Sequence, residues 1–335
     1  MDPMFTDAAA ALLADHCTPA TVRAIEAGTP ATALWQALAD AGFADALVPE
    51  ARGGAGLPLA DVFGVWALCG QHALPLPLAE TMLARALLAE AGLDAPDGAI
   101  ALATGRLAGG RLRAHAVPSA RTAAAVLVSD GLACRLLATG DASTERAPFV
   151  LDATLSWPAA AWDAAPALPQ VPELRTLQAL VMSVQLAGAL MATFERTLQY
   201  ANERQQFGKP IGKFQAIQHQ LSVMAEEAFA SRMAAQLACD SPRATAPDRL
   251  RVAAAKARTG EAALTVAELA HSIHGAIGFT AEFDLQLLTR RLHAWRQAAG
   301  SESAWQDVLG AALVDGGHGL TVDLLRQMTD PAPAA

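Results

Sequence analysis

Apolar residues recur at three- and four-residue spacing through the first part of the chain. This predicts helices over 8–15, 22–27, 32–41, 59–69 and 78–91. Thr29-Pro30, the run Arg-Gly-Gly-Ala-Gly-Leu at 52–57, and Pro75 and Pro77 punctuate them. The glycine run lacks the Lys-Ser/Thr of a phosphate loop and no strand precedes it, so it reads as a turn. Near Gly98 the period changes. Short apolar segments at 99–102, 114–117, 124–128, 133–137 and 149–151, separated by Gly, Ser, Asp and Pro, predict a small β-domain over 97–170. Residues 156–172, rich in Pro, Ala and Trp, read as its exit and a linker, with Trp157 and Trp162 packing there.

From Pro172 the pattern is helical again and the elements are long. Pro172 and Glu173 suit a first turn, and the helix can run to about Gln205, roughly 50 Å at 1.5 Å per residue. Ala187-Gly188-Ala189 in its middle suits close approach of another backbone. A second helix spans 214–239, with an apolar face at Phe214, Ile217, Leu221, Met224, Ala228 and Met233. A third spans 247–274 and stops at Gly275. A fourth spans 281–299 with Thr280 as its N-cap, and 301–314 and 320–328 complete the set. No strand is expected within 175–235. The fold class is therefore α+β and mostly helical: a helical domain over 1–95, a short central β-domain over 96–171 and a C-terminal four-helix bundle within 172–330.

Composition narrows the function. The 335 residues carry a net charge of −9 with no basic run, which argues against nucleic acid. Hydrophobic residues make up 53% and charged residues 17%, an excess that suits buried subunit contacts, so at least a dimer is expected. The most apolar run, 177–193, is broken by Gln178, Ser183 and Gln185, so no membrane span is expected. The N-terminus has early acids and no basic region, which speaks against a secretory signal. Cys17, Cys69, Cys134 and Cys239 stand far apart without metal-ligand spacing and read as buried reduced thiols of a cytoplasmic protein.

The stretch 203–224, ERQQFGKPIGKFQAIQHQLSVM, and the segment 274–282, HGAIGFTAE, carry the candidate chemistry. Arg204 ends a helix and offers a planar fork of donors suited to phosphate. The second segment runs from a helix end through Gly275 and Gly278 to a new helix, a geometry that presents N–H groups to an anion. Together these segments resemble the acyl-CoA dehydrogenase family, and the resemblance runs in order along nearly the whole chain. It implies FAD held across a subunit interface. On that pattern Arg204 reaches the pyrophosphate of a neighbour's FAD, Phe207 packs on the cofactor, and Gln206, Ile211, Phe214 and Gln215 surround it. Ser272, His274, Gly275 and Ala276 form the pyrophosphate loop, and Ser301 completes the set. The family usually has glutamine at Ser272 and glycine at Ala276. Serine offers one hydrogen bond fewer, and alanine adds a methyl where backbone and ligand approach.

The same resemblance locates a loss. Many members carry their catalytic base in a Glu-Gly-Thr turn, which here reads Ala299-Gly300-Ser301. Arg290 matches an arginine of the preceding helix, and Arg291 replaces an aspartate. A second base position used by some relatives falls on Gln178. Neither Ala299 nor Gln178 can take the α-proton of a thioester. Glu302 lies three residues from the lost base and reads first as a first-turn residue, with Ser301 as the cap; the alternative is that it, rather than a partner, supplies the base. The shortened β-domain has no clear match to the family's flavin-covering loop. The implied function is α,β-desaturation of an acyl-CoA by a mixed oligomer, with this chain the subunit lacking the base and electron-transfer flavoprotein as acceptor. The alternative is a scaffold subunit of the same fold that binds no flavin; no feature selects a flavin oxidase or monooxygenase. The acyl pocket's walls are expected from the N-terminal helices and the long helix.

Overall fold

The structure is a computed structural model and describes residues 3–316 and 320–330. Five N-terminal helices come first: α1 (Pro3–His16), α2 (Pro19–Glu26), α3 (Thr32–Asp40), α4 (Leu59–Gln71) and α5 (Leu78–Glu90). The strands β1 (Ile100–Ala108), β2 (Arg111–Val117), β3 (Ala125–Ser129), β4 (Cys134–Ala138), β5 (Ser143–Arg146) and β6 (Ala153–Pro158) follow, then α6 (Ala159–Ala164). The C-terminal part holds α7 (Leu174–Glu203), β7 (Gln205–Gln206), β8 (Lys209–Pro210), α8 (Gln215–Ala238), α9 (Arg249–His274), α10 (Leu285–Gln297), α11 (Glu302–Asp315) and α12 (Thr321–Thr329). The first six strands form one sheet in the order β4-β3-β1-β2-β6-β5, with β1 and β3 parallel and the other neighbours antiparallel.

Several expectations are corrected. Residues 149–151 are not a strand; Phe149 is drawn inward instead under the Arg291 guanidinium, 5.4 Å from its ring centroid. The supposed linker opens with β6, whose Trp157 is buried and donates from Nε1 to the Ala138 carbonyl at 2.8 Å. Trp162 is buried as expected. A two-residue ladder, β7 with β8, does fall within 175–235. Thr280 does not cap the fourth long helix, which starts later with Asp284 at its N-cap. There Asp284 takes ion pairs from Arg23 on α2 and Arg196 on α7. Burial alone would raise this carboxyl, but the hydrogen bonds from those two arginines hold it below its usual range. Met233 leaves the apolar face of α8 and is 72% exposed.

The 30-residue α7 is the spine. An apolar window within it is long enough to cross a membrane, yet 94% of that window is buried inside the fold. It packs against α4, α8, α9 and α10. Glycine makes the α4 contact possible: a Cβ on Gly188 would stand 1.9 Å from the Ala67 carbonyl oxygen, and one on Gly70 1.9 Å from that of Gln185. The two backbones touch, as the Ala-Gly-Ala triplet suggested. All four cysteines are free and buried, and burial pushes the Cys17 and Cys134 thiols up to about 12, which leaves them unreactive.

The interior also holds charge-bearing groups. Arg291 on α10 is inaccessible and donates to Glu26 at 2.8 Å and to the Leu287 carbonyl at 3.1 Å. Lys256 on α9 is inaccessible too, with Nζ donating to the carbonyls of Arg296 and Gly300 at 2.8 and 2.9 Å. Glu80 on α5 and Asp152 before β6 are buried between the sheet and the helices. Burial pushes both carboxyls up to about 7 and Lys256 down to about 7.

Two outcomes follow. Gly188→Val should cost about 3 kcal/mol or more, or prevent folding, because a rigid carbonyl cannot move aside; urea unfolding measures it. For pH, the folded state keeps protons on Glu80 and Asp152 that the unfolded chain releases from 4.5 and 3.8, so their contribution is full below those values and is lost as pH rises through 7. Lys256 acts oppositely: the folded state disfavours its charge, so stability recovers as pH climbs from 7 toward 10.5. Melting temperature should therefore pass through a minimum near pH 7, with Glu80→Gln flattening the acid limb and Lys256→Met the alkaline limb.

Candidate functional site

At the C-terminal end of α7 the chain leaves the helix at Arg204 and folds straight back. Arg204 and Ile211 are joined by a backbone bond of 2.8 Å from the Ile211 amide to the Arg204 carbonyl. Between them, Phe207 and Gly208 both have positive φ, 51° and 80°, the signature of a type I′ turn joining β7 to β8. Glycine takes that conformation freely, but phenylalanine does not. The Phe207 ring nonetheless stands 91% exposed, edge-on to Phe214 with centroids 6.2 Å apart. Lys209 places its ammonium 4.4 Å from the Phe214 centroid. Arg204, Gln206 and Gln215 are exposed, Phe214 is half-buried, and Ile211 is buried beneath them. Arg204 makes no ion pair among the described residues.

The glycine loop lies beside this turn. One helical turn before Arg204, Tyr200 stacks on His274 with ring centroids 4.3 Å apart. His274 is buried, its Nδ1 donates to the Ala270 carbonyl at 2.8 Å, and its Nε2 has no partner. Burial lowers its pKa, so it is neutral at pH 7 and serves to lock the loop rather than to face solvent. Gly275 has φ 61° with open space around it, while Gly278 is tightly enclosed, its missing Cβ only 3.0 Å from that of His274. Residues Gly275–Phe279 form a 3₁₀ turn, and Ser272, Gly275 and Ala276 are exposed. Eight of the sequence-predicted residues thus reach the polar, cation-bearing surface at this end of α7, with Ile211 and His274 buried behind it.

Ser301 does not join them. It sits at the N-cap of α11, where its hydroxyl meets Ser303 instead of capping the helix. Its neighbours Ala299 and Gly300 are tied to the opposite end of α7: Arg175 Nε donates to the Ala299 carbonyl at 3.2 Å. From Arg175 to Tyr200 is about 37 Å along the helix at 1.5 Å per residue. The eleven residues therefore form two half-sites at opposite ends of the spine.

The Ala299 end has no free carboxylate. Ala299 itself has φ 58°, and its carbonyl also accepts from Trp305 Nε1 at 3.1 Å. Lys256 holds Gly300 from below. Glu302 is held through Oε1 by an ion pair with Arg296, while its Oε2 has no hydrogen-bond partner among the described residues. Gln178 is buried and donates from Nε2 to the Leu102 carbonyl of β1 at 2.6 Å. The N-terminal helices and α7, expected to wall the acyl pocket, touch at Gly70 and Gly188. Sequence reasoning missed Arg175, Lys256 and Trp305; a lone lysine in an alanine-rich helical stretch was the available signal for the second.

Donors at the α7 C-terminal end suit the flavin pyrophosphate: an unpaired guanidinium, an exposed ring and a glycine-bounded turn with unfilled space. Comparison with known proteins agrees. The acyl-CoA dehydrogenase N-terminal domain matches residues 2–95 and the C-terminal domain residues 176–313. Acyl-CoA dehydrogenase IpdE2 of Mycobacterium tuberculosis is 31% identical over 88% of this chain and 91% of its own length. Its counterpart from Mycolicibacterium smegmatis is 30% identical over 89% and 94%. Among solved structures, a variant of the Tcur3481-Tcur3483 steroid ACAD superposes with TM-score 0.80 and 26% identity, covering 93% of this chain and 97% of that one. The ChsE4-ChsE5 complex from Mycobacterium tuberculosis superposes with TM-score 0.78 and 22% identity over 92% and 96%. The fold is shared from end to end, and the chain belongs to the acyl-CoA dehydrogenase family, whose members are FAD-dependent.

Proposed function

We propose that this chain is the base-lacking subunit of a mixed, cytoplasmic acyl-CoA dehydrogenase oligomer. It supplies one half of a FAD site completed by a dehydrogenase-like partner. The observation that carries this reading is the division of the predicted cofactor residues between two ends of α7 about 37 Å apart. A single chain cannot bring both ends to one cofactor, whereas two chains can. One structural relative is the ChsE4-ChsE5 complex, which supports a mixed assembly here.

In that assembly Arg204 pairs with pyrophosphate, the Gly275 turn offers backbone N–H groups, and Phe207 covers the cofactor from the side. FAD held there by Arg204 and the Gly275 turn would supply the acceptor for a hydride from the β-carbon of the acyl thioester, with electron-transfer flavoprotein as the onward acceptor. The α-proton must go to a carboxylate of the partner, since Ala299, Gln178 and the tethered Glu302 cannot take it.

The isolated chain should show no turnover in a ferrocenium-coupled assay over short, long and steroid acyl-CoAs. Ala299→Glu should not restore it, because that turn's carbonyls are already engaged by Arg175, Trp305 and Lys256. Robust turnover by the isolated chain that survives Glu302→Gln would refute the assignment. A colourless protein both alone and with its partner would favour the flavin-free scaffold instead.

Phe207→Asn separates a structural from a cofactor role. Asparagine suits a type I′ turn, so the chain should keep its stability or gain about 0.5–1 kcal/mol. The mixed oligomer should nevertheless lose flavin absorbance on gel filtration, and Arg204→Gln should do the same with an unchanged melt.

A further inference from the structure

A cavity of about 420 Å³ lies where the N-terminal helices meet the sheet. The connection from α2 into α3, the residues leading into β1 and the connection from β2 to β3 enclose it. Its volume falls in the range of small-molecule sites. None of the predicted cofactor residues lines it. Trp35, half-buried, is its accessible apolar wall, over a floor of buried Ile25, Leu76 and Leu151.

Among the described residues, Arg121 is the only charged side chain lining this cavity. It is held at two points: its backbone amide donates to the Leu151 carbonyl at 3.1 Å, and its Nη1 donates to the Val150 carbonyl at 2.7 Å. The rest of the guanidinium is uncommitted, for Arg121 is exposed and makes no ion pair among the described residues. The remaining lining residues are glycine, alanine, proline and threonine, so no carboxylate answers it. An acid-free cavity with a cation in its wall carries positive potential, against a chain whose net charge is −9. A planar guanidinium fixed on one side presents its other donors as a fork that matches a carboxylate. One cation balances one negative charge, and the Trp35 ring suits a flat apolar body beside it.

We infer that this cavity binds a small monoanionic carboxylate with a flat apolar body, its carboxylate on Arg121 and its body against Trp35. A cationic ligand is disfavoured because Arg121 repels it and no acid compensates. The site needs neither flavin nor a second subunit, so it stands or falls independently of the function proposed above.

The test titrates the intact chain with naphthoate, neutral naphthamide, naphthylmethylammonium and inorganic phosphate, followed by calorimetry and by the indole N–H signals of isotope-labelled protein. Naphthoate should bind saturably and shift the Trp35 signal, which Trp35→Leu identifies by its loss. The amide and the ammonium should bind at least about tenfold more weakly, since neither offers the guanidinium an anionic acceptor. Phosphate, without an apolar body, should bind more weakly too. Arg121→Gln should weaken naphthoate about tenfold with an unchanged melt, and Arg121→Lys, which keeps the charge and loses the fork, should recover only part of that. Trp35→Leu should weaken it about fivefold; if that variant does not fold, Arg121→Gln and the amide decide the matter. Absence of saturable binding by naphthoate, equal affinity for the amide or in Arg121→Gln, preference for phosphate or the ammonium, or an unmoved Trp35 signal would overturn the proposal.

Discussion

A rigid helix fixes what this molecule can do alone. The 30 residues of α7 hold the Arg204 turn and the Ala299 turn apart, and neither end can bend toward the other. Close contact with α4 at Gly70 and Gly188 adds stiffness, since two backbones in contact leave no side chain to rearrange. Every other feature of the site inherits this spacing. Tyr200 brings the glycine loop to one end by stacking on His274, and Arg175 secures the catalytic-type turn at the other. The two ends of α7 are therefore presented separately at the surface of the fold.

The Ala299 turn reads Ala-Gly-Ser, without a carboxylate, and yet it is densely tied. Its carbonyls accept from Arg175, Trp305 and Lys256, and Arg296 clasps Glu302 just beyond. Burying an amine costs several kcal/mol unless hydrogen bonds replace its water, and Lys256 finds two carbonyls for that purpose. The turn has become an anchor between α9, α10 and the start of α7. A carboxylate added at residue 299 would enter a neighbourhood already organised for another task.

The long helices and the cofactor motifs were legible because each depends on local order: apolar spacing, a glycine stop, a run of matching residues. What escaped reading depends on distant partners. Ser143–Arg146 is an edge strand with all four residues exposed, so no hydrophobic alternation marks it. Conversely, Phe149 looked like part of a strand because it is apolar, yet Arg291 on α10 is what draws it inward. Thr280 has the right chemistry for an N-cap, but Asp284 prevails because Arg23 and Arg196 converge on it. Ser301 was correctly placed at a helix start, while its separation from Arg204 needed the whole of α7 to be seen.

Phe207 shows where the remaining logic lies. A phenylalanine in left-handed backbone conformation costs about 1–3 kcal/mol unless its surroundings enforce it, and here a two-residue ladder is all that encloses it. Exposing its ring adds an unfavourable hydration term, and the edge contact with Phe214 offsets only part of that. Asparagine or glycine would serve the isolated turn better on both counts. The favourable term that balances phenylalanine must therefore come from outside the free chain, from a surface that covers the ring. Arg204, unpaired and one β-turn away, has the same character: a strong donor set with nothing of its own to bind. On the function proposed above, a nucleotide held by another subunit would turn these two poor choices for a solitary protein into good ones.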